Sequence, residues 1–156
     1  MKKLLTILLS CGYIGYVPVM PATVAAAAGL ACFLFLFTFT HWAVTCAFLA
    51  GSFLATWYVL ARARAYFPLR EDPHWIVIDD FAGSFFAYSF LPREWTVLIA
   101  AFLLYRFFDI SKGLFIARIE KMKNPVLAIF LDDVAAGIYA NIVVQLLLRL
   151  KVLSVS

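Results

Sequence analysis

The sequence predicts an all-α integral membrane bundle of four to five spans, some of them short, headed by an interfacial N-terminal segment. Three observations carry that prediction. Only 14% of the 156 residues are charged and 65% are hydrophobic, whereas a soluble domain carries about a quarter charged residues. Residues 4–61 contain no Lys, Arg, Asp or Glu at all, a run of 58 positions. The rest of the chain repeats apolar segments of helical length between short polar turns. A surface with so little charge needs lipid as its solvent. The composition excludes a disulfide-framed secreted scaffold, a nucleic-acid-binding module and a disordered tail. A single domain over residues 1–156 is expected.

The first segment, Met1, Lys2 and Lys3 followed by apolar residues 4–9, is similar to the start of a signal peptide. Its apolar core is only six residues long before Ser10, Gly12, Gly15, Pro18 and Pro21 interrupt it. A short amphipathic or interfacial helix leading into a Gly/Pro-shaped loop is the expectation. Residues 24–61 are 38 uncharged positions, enough for two membrane helices at about 20 residues per span. Their connection falls near Thr40, His41 and Trp42, with His41 as an interfacial turn residue. Residues 62–75 are polar and broken by Pro68 and Pro73, which predicts a loop.

Residues 76–91 are apolar except for Asp79 and Asp80, Pro92-Arg93-Glu94 makes a turn, and residues 95–108 are apolar until Arg106. As helices these two segments rise about 21 to 24 Å, short of a hydrocarbon core roughly 30 Å thick. Their charged ends are therefore expected at the membrane edge, inside a protein-lined cavity. Residues 109–124 read as a basic polar loop or helix end. Residues 126–148 form a final span with Asp132 and Asp133 near its start.

The net charge of +4 is spread along hydrophobic segments and reflects membrane orientation rather than a nucleic-acid partner. Ten of the 13 Lys and Arg residues fall on one side of this arrangement, and Arg93, Arg149 and Lys151 on the other. The ten-residue side is expected to be cytoplasmic. Five spans then put the amino terminus inside and the carboxyl terminus outside. Cys11, Cys32 and Cys46 are odd in number, with no CxxC pair, and read as small hydrophobes.

Carboxylates at a membrane boundary are costly, and here they form a pattern. Asp79 and Asp80 followed by Phe81, Ala82, Gly83, Ser84, and Asp132 and Asp133 followed by Val134, Ala135, Ala136, Gly137, share one form 53 residues apart. Each is expected where an apolar helix begins, followed by small residues that let another helix approach closely. Helix capping would explain one Asp per helix; a pair on each points to a cation site. Clustered carboxylates repel unless something positive joins them, and Arg106, Lys112 or a bound metal are the candidates. Hard oxygen ligands without His or Cys suit Mg²⁺. Arg106, Asp109 and Lys112, at spacings of three, would fall within one arc of a helix. They offer two phosphate-binding cations and another carboxylate, or simply a salt-bridged helix end.

No Cys-x5-Arg thiolate motif, Asp-x-Asp nucleophile, Gly-x4-Gly-Lys phosphate loop or His-Glu-x-x-His zinc helix is present. What remains resembles one family in order and spacing. Gly12-x-x-Gly15 leading to Pro18, Pro21-Ala22-Thr23, Asp72-Pro73, Trp75 through Gly83, Arg106 through Lys112 and Leu131 through Gly137 resemble the blocks of the bacterial phosphatidylglycerophosphatase A family, over nearly the whole chain. The resemblance implies a Mg²⁺-dependent phosphatase of the bacterial inner membrane that converts phosphatidylglycerol phosphate to phosphatidylglycerol, with its active site facing the cytoplasm. It implies that Asp79, Asp80, Asp132 and Asp133 are the catalytic and metal-binding groups. Arg106, Lys112, Thr23 and Asp109 would serve the substrate. Departures from the family pattern are Pro-Ala-Thr for Pro-Gly-Thr, Asp80 for Glu, and two prolines lost after Lys112. Two rivals stand beside this reading: an ion or proton pathway lined by the paired aspartates, and a transferase acting on a nucleotide-activated alcohol.

Overall fold

The computed structural model describes residues 1–36, 41–67, 73–111 and 125–153. Among the described residues six helices run in the order α1 (Lys2–Leu9), α2 (Pro21–Leu36), α3 (Trp42–Ala63), α4 (Ile78–Tyr88), α5 (Trp95–Ser111) and α6 (Pro125–Arg149), with a 3-10 turn at Ile14–Tyr16. No strand occurs among the described residues. The all-helical class and the short first helix are as the sequence predicts. α1 stops where Cys11, Gly12 and Tyr13 take positive φ, and Pro21 opens α2 at a position whose missing N–H costs nothing.

α3, with 22 residues, and the 20-residue stretch Phe130–Arg149 of α6 are long and apolar enough to cross a membrane. Of the four to five spans expected, length and composition support these two. α2, α4 and α5 are shorter, at 16, 11 and 17 residues, and α4 rises only about 17 Å. Two helix ends run past expectation: α3 continues to Ala63, into the segment assigned to a loop, and α5 to Ser111. α6, Pro125–Arg149, matches the expected span 126–148 to within one residue, but Asp132 and Asp133 lie two turns inside it rather than where the helix begins.

α4 is the centre of the bundle, with α2 against one face and α6 against another. Small residues let helices approach closely, and glycines supply that approach here. A Cβ on Gly83 would lie 2.7 Å from the Asp133 Cβ, one on Gly137 2.5 Å from the Gly83 carbonyl oxygen, and one on Gly29 2.9 Å from the Phe81 carbonyl oxygen. Further along, Phe33 meets Tyr88 at 6.0 Å between ring centroids and Asn141 bonds to Ala87. Partners therefore advance together, and α2, α4 and α6 run parallel with their amino ends at one end of the bundle. α3 runs the other way, with Phe48 on Phe85 and Phe53 on Phe130.

Tyr88, Tyr105 and Phe130 are fully buried at the heart of this packing. Outward-facing positions are apolar as well. On α5, Trp95, Ile99, Leu103 and Phe107 are exposed at four-residue spacing, and on α3, Trp42, Leu54 and Trp57 are exposed. A stripe of that kind suits acyl chains.

Candidate active site

The site is built where α4 begins. The chain enters α4 through Val77, whose N–H donates to the Leu9 carbonyl at 2.9 Å, tying this entry to the end of α1. A side chain on Gly15 would strike the Trp75 carbonyl, so the loop after α1 lies directly on the approach to α4, with Tyr16 stacked on Trp75. Asp79 and Asp80 then fall in the first turn of α4, where free N–H groups and the helix dipole favour carboxylates. The Asp80 N–H donates to Asp79 Oδ1 at 3.1 Å.

Asp133 arrives from α6, admitted by Gly83. Asp79, Asp80 and Asp133 each offer a carboxylate oxygen within 4.8 Å of the others, and all three residues are buried. Asp133 also feels the charge of Asp109. Asp132 is buried one residue earlier on α6 and stands outside this three-carboxylate group. The capping reading therefore applies to the α4 pair only, because the α6 pair is mid-helix.

Arg106 projects from α5 into the same place. Its Nη1 donates to Asp80 Oδ1 at 2.7 Å and pairs with Asp109 Oδ2 at 2.5 Å. The i, i+3 salt bridge expected from spacing is present, and the guanidinium reaches across to α4 in addition. Arg106 Nε is buried without a hydrogen-bond partner, as is Thr23 Oγ1. Thr23 lies in the first turn of α2, at the end of the bundle that holds the carboxylates. Both are buried donors of the kind that needs an acceptor. Lys112 lies outside the described residues.

Two participants carry no signal in the sequence. The Tyr105 hydroxyl, fully buried, donates to the Asp80 main-chain carbonyl at 3.0 Å and fixes the first turn of α4 against α5. The Cys11 Sγ donates to the Val77 carbonyl at 3.8 Å. Burial, reinforced by Asp79 and Asp80, pushes that thiol up to about 12.

The donor set fits a hard divalent cation. Three carboxylates converge with no His or Cys among them, the oxygen-donor chemistry that a hard divalent cation takes. A phosphate monoester beside such an ion would find an acceptor-seeking Arg Nε and a Thr hydroxyl.

The chain matches the family described as phosphatidylglycerophosphatase A over residues 7–148. It is 32% identical over 115 residues to a putative phosphatidylinositol-3-phosphatase of Bacteroides thetaiotaomicron, covering 72% of this chain and 70% of that protein. It is 37% identical over 98 residues to a phosphatidylglycerophosphatase A of Haemophilus influenzae, covering 62% of this chain and 60% of that protein. No solved structure matches the chain.

Proposed function

Since the chain belongs to the phosphatidylglycerophosphatase A family, we propose that it is a Mg²⁺-dependent lipid phosphatase that hydrolyses phosphatidylglycerol phosphate to phosphatidylglycerol in phospholipid synthesis. The observation that carries this reading is the meeting of Asp79, Asp80 and Asp133, from two helices, within 4.8 Å and beside Arg106. Mg²⁺, when bound, supplies Lewis acidity toward the phosphoryl group and lowers the pKa of water.

The chain's own residues do the rest. Asp79, Asp80 and Asp133 would hold the ion, with Asp132 a further buried carboxylate next to Asp133 in the chain. Arg106, its Nη1 fixed by Asp80 and Asp109, donates Nε–H to a phosphate oxygen as charge develops there. Thr23 donates its hydroxyl to another, helped by the N–H groups at the start of α2. Lys112, which follows Ser111 in the chain, would supply a second cation. Burial of the carboxylates and of Tyr105 keeps bulk water away from the reacting group.

The parallel amino ends of α2, α4 and α6 support one active face. The asymmetry of Lys and Arg supports a cytoplasmic orientation in a bacterial inner membrane. Five passes, α2 to α6, agree with that asymmetry. Similarity to the Bacteroides protein favours a second reading of the substrate, a phosphoinositide monoester handled by the same groups. The comparisons lend no support to an ion or proton pathway. Asp79→Asn, Asp80→Asn and Asp133→Asn should each abolish phosphate release from both lipids while membrane insertion persists. Unchanged turnover in all three overturns the reading.

A further inference from the structure

α4 is about 17 Å long, close to half the thickness of a hydrocarbon core. The last carbonyls of a helix have no partner within it, and here that end is enclosed: Ala87 and Tyr88 are fully buried and Ser89 is 5% exposed. Water cannot satisfy these groups, and lipid has nothing to offer them. Asn141 of α6 does. Its Nδ2 donates to the Ala87 carbonyl at 3.1 Å and to the Ser89 carbonyl at 2.7 Å. Its Oδ1 accepts from Gln145 Nε2 at 2.6 Å, which settles which way the amide faces.

The position of this contact matters more than its strength. Asn141 lies eight residues beyond Asp133 on α6, and Tyr88, between the two carbonyls it holds, lies eight residues beyond Asp80 on α4. The clamp and the carboxylate site are thus two turns apart along both members of a parallel helix pair. Between them the interface is formed by Gly83 and Gly137, which present little relief to stop one helix sliding along the other.

We propose that Asn141 is a positioning residue: its amide locks the end of α4 to α6 and so sets the register in which Asp79 and Asp80 meet Asp133. The proposal rests on the metal-phosphatase reading of that site. A slip of one residue displaces Asp133 by about 1.5 Å along the helix axis, and misplacement on the order of 1 Å costs about 100-fold at a reacting centre.

The test compares purified Asn141→Leu, which has similar volume and no donor, with Asn141→His, which keeps one ring N–H donor. Val144→Ala, at a fully buried position one turn away, serves as a packing control. Mn²⁺ binding is followed by electron paramagnetic resonance, alongside thermal melts and the Mg²⁺ dependence of phosphate release. Asn141→Leu is expected to bind Mn²⁺ about 10- to 100-fold more weakly and to need correspondingly more Mg²⁺ for half-maximal activity. Asn141→His recovers part of the loss, and Val144→Ala lowers Tm while holding Mn²⁺ affinity within about twofold. Wild-type affinity in Asn141→Leu overturns the proposal, as does an equal loss in Val144→Ala at matched Tm. Wild-type protein that neither binds Mn²⁺ nor releases phosphate overturns the metal-site reading itself, and the clamp with it.

Discussion

Replacing Asp79 by Asn should stabilise the metal-free protein while destroying its activity. With oxygens no more than 4.8 Å apart and an effective dielectric of about 20, each pair of carboxylates repels by about 3.5 kcal/mol or more. Asp79→Asn removes two of the three pairs, a relief of about 7 kcal/mol before relaxation. It keeps the acceptor for the Asp80 N–H, because the Asn side-chain oxygen can take the place of Asp79 Oδ1. If protonation and small movements in the wild type absorb three quarters of the repulsion, about 2 kcal/mol survives, a rise in Tm of roughly 4–8 °C. The assay is a tryptophan-fluorescence melt in detergent, in excess EDTA and in excess Mg²⁺. In EDTA the variant should melt above the wild type. Added Mg²⁺ should raise the wild-type Tm and leave the variant nearly unmoved. A variant less stable than wild type in EDTA, or one with the same Mg²⁺ shift, refutes the electrostatic reasoning.

Arg106→Gln removes the cation that bridges Asp80 and Asp109, so kcat measured at saturating Mg²⁺ should fall about 100- to 1,000-fold. Gly83→Ala would put a Cβ 2.7 Å from the Asp133 Cβ; melts should show a loss of about 1–3 kcal/mol, with activity lost as α6 is forced outward. Gly51→Ala, with nothing within 4 Å, should be neutral or stabilising by up to about 1 kcal/mol. The Cys11 thiol, raised to about 12, carries thiolate in only about one molecule in 10,000 at pH 8. Iodoacetamide should therefore label it at pH 8 far more slowly in the native protein than after unfolding, and faster as pH rises toward that value; equal rates would contradict its burial.

Periodicity and charge made most of the helices legible. The uncharged run of residues 4–61, broken by Gly and Pro, shows α1, α2 and α3, and Asp79 and Asp80 mark the start of α4 because a helix amino end accommodates acids. Hydropathy places the start of α6 to within one residue of Pro125, but the acidic pair, read as marking a helix start, sits in its third turn. There Asp133 faces α4 and Asp132 stands outside the group, a distinction that two adjacent identical residues cannot reveal in sequence. Arg106 and Asp109 were recognisable as a helical pair, but the reach to Asp80 depends on how α5 packs. Tyr105 looks like any apolar-span aromatic. Asn141 did carry a signal: with Gln145 it is one of two amides in an apolar span, two turns after an acidic pair, where a polar group must have a partner.

The central claim is metal-dependent hydrolysis of a lipid phosphate monoester, and release of inorganic phosphate from phosphatidylglycerol phosphate in detergent micelles tests it most directly. Purified protein should release phosphate with Mg²⁺, stop in excess EDTA and resume when Mg²⁺ is restored. Release that EDTA does not diminish, or no release under either condition, would contradict it.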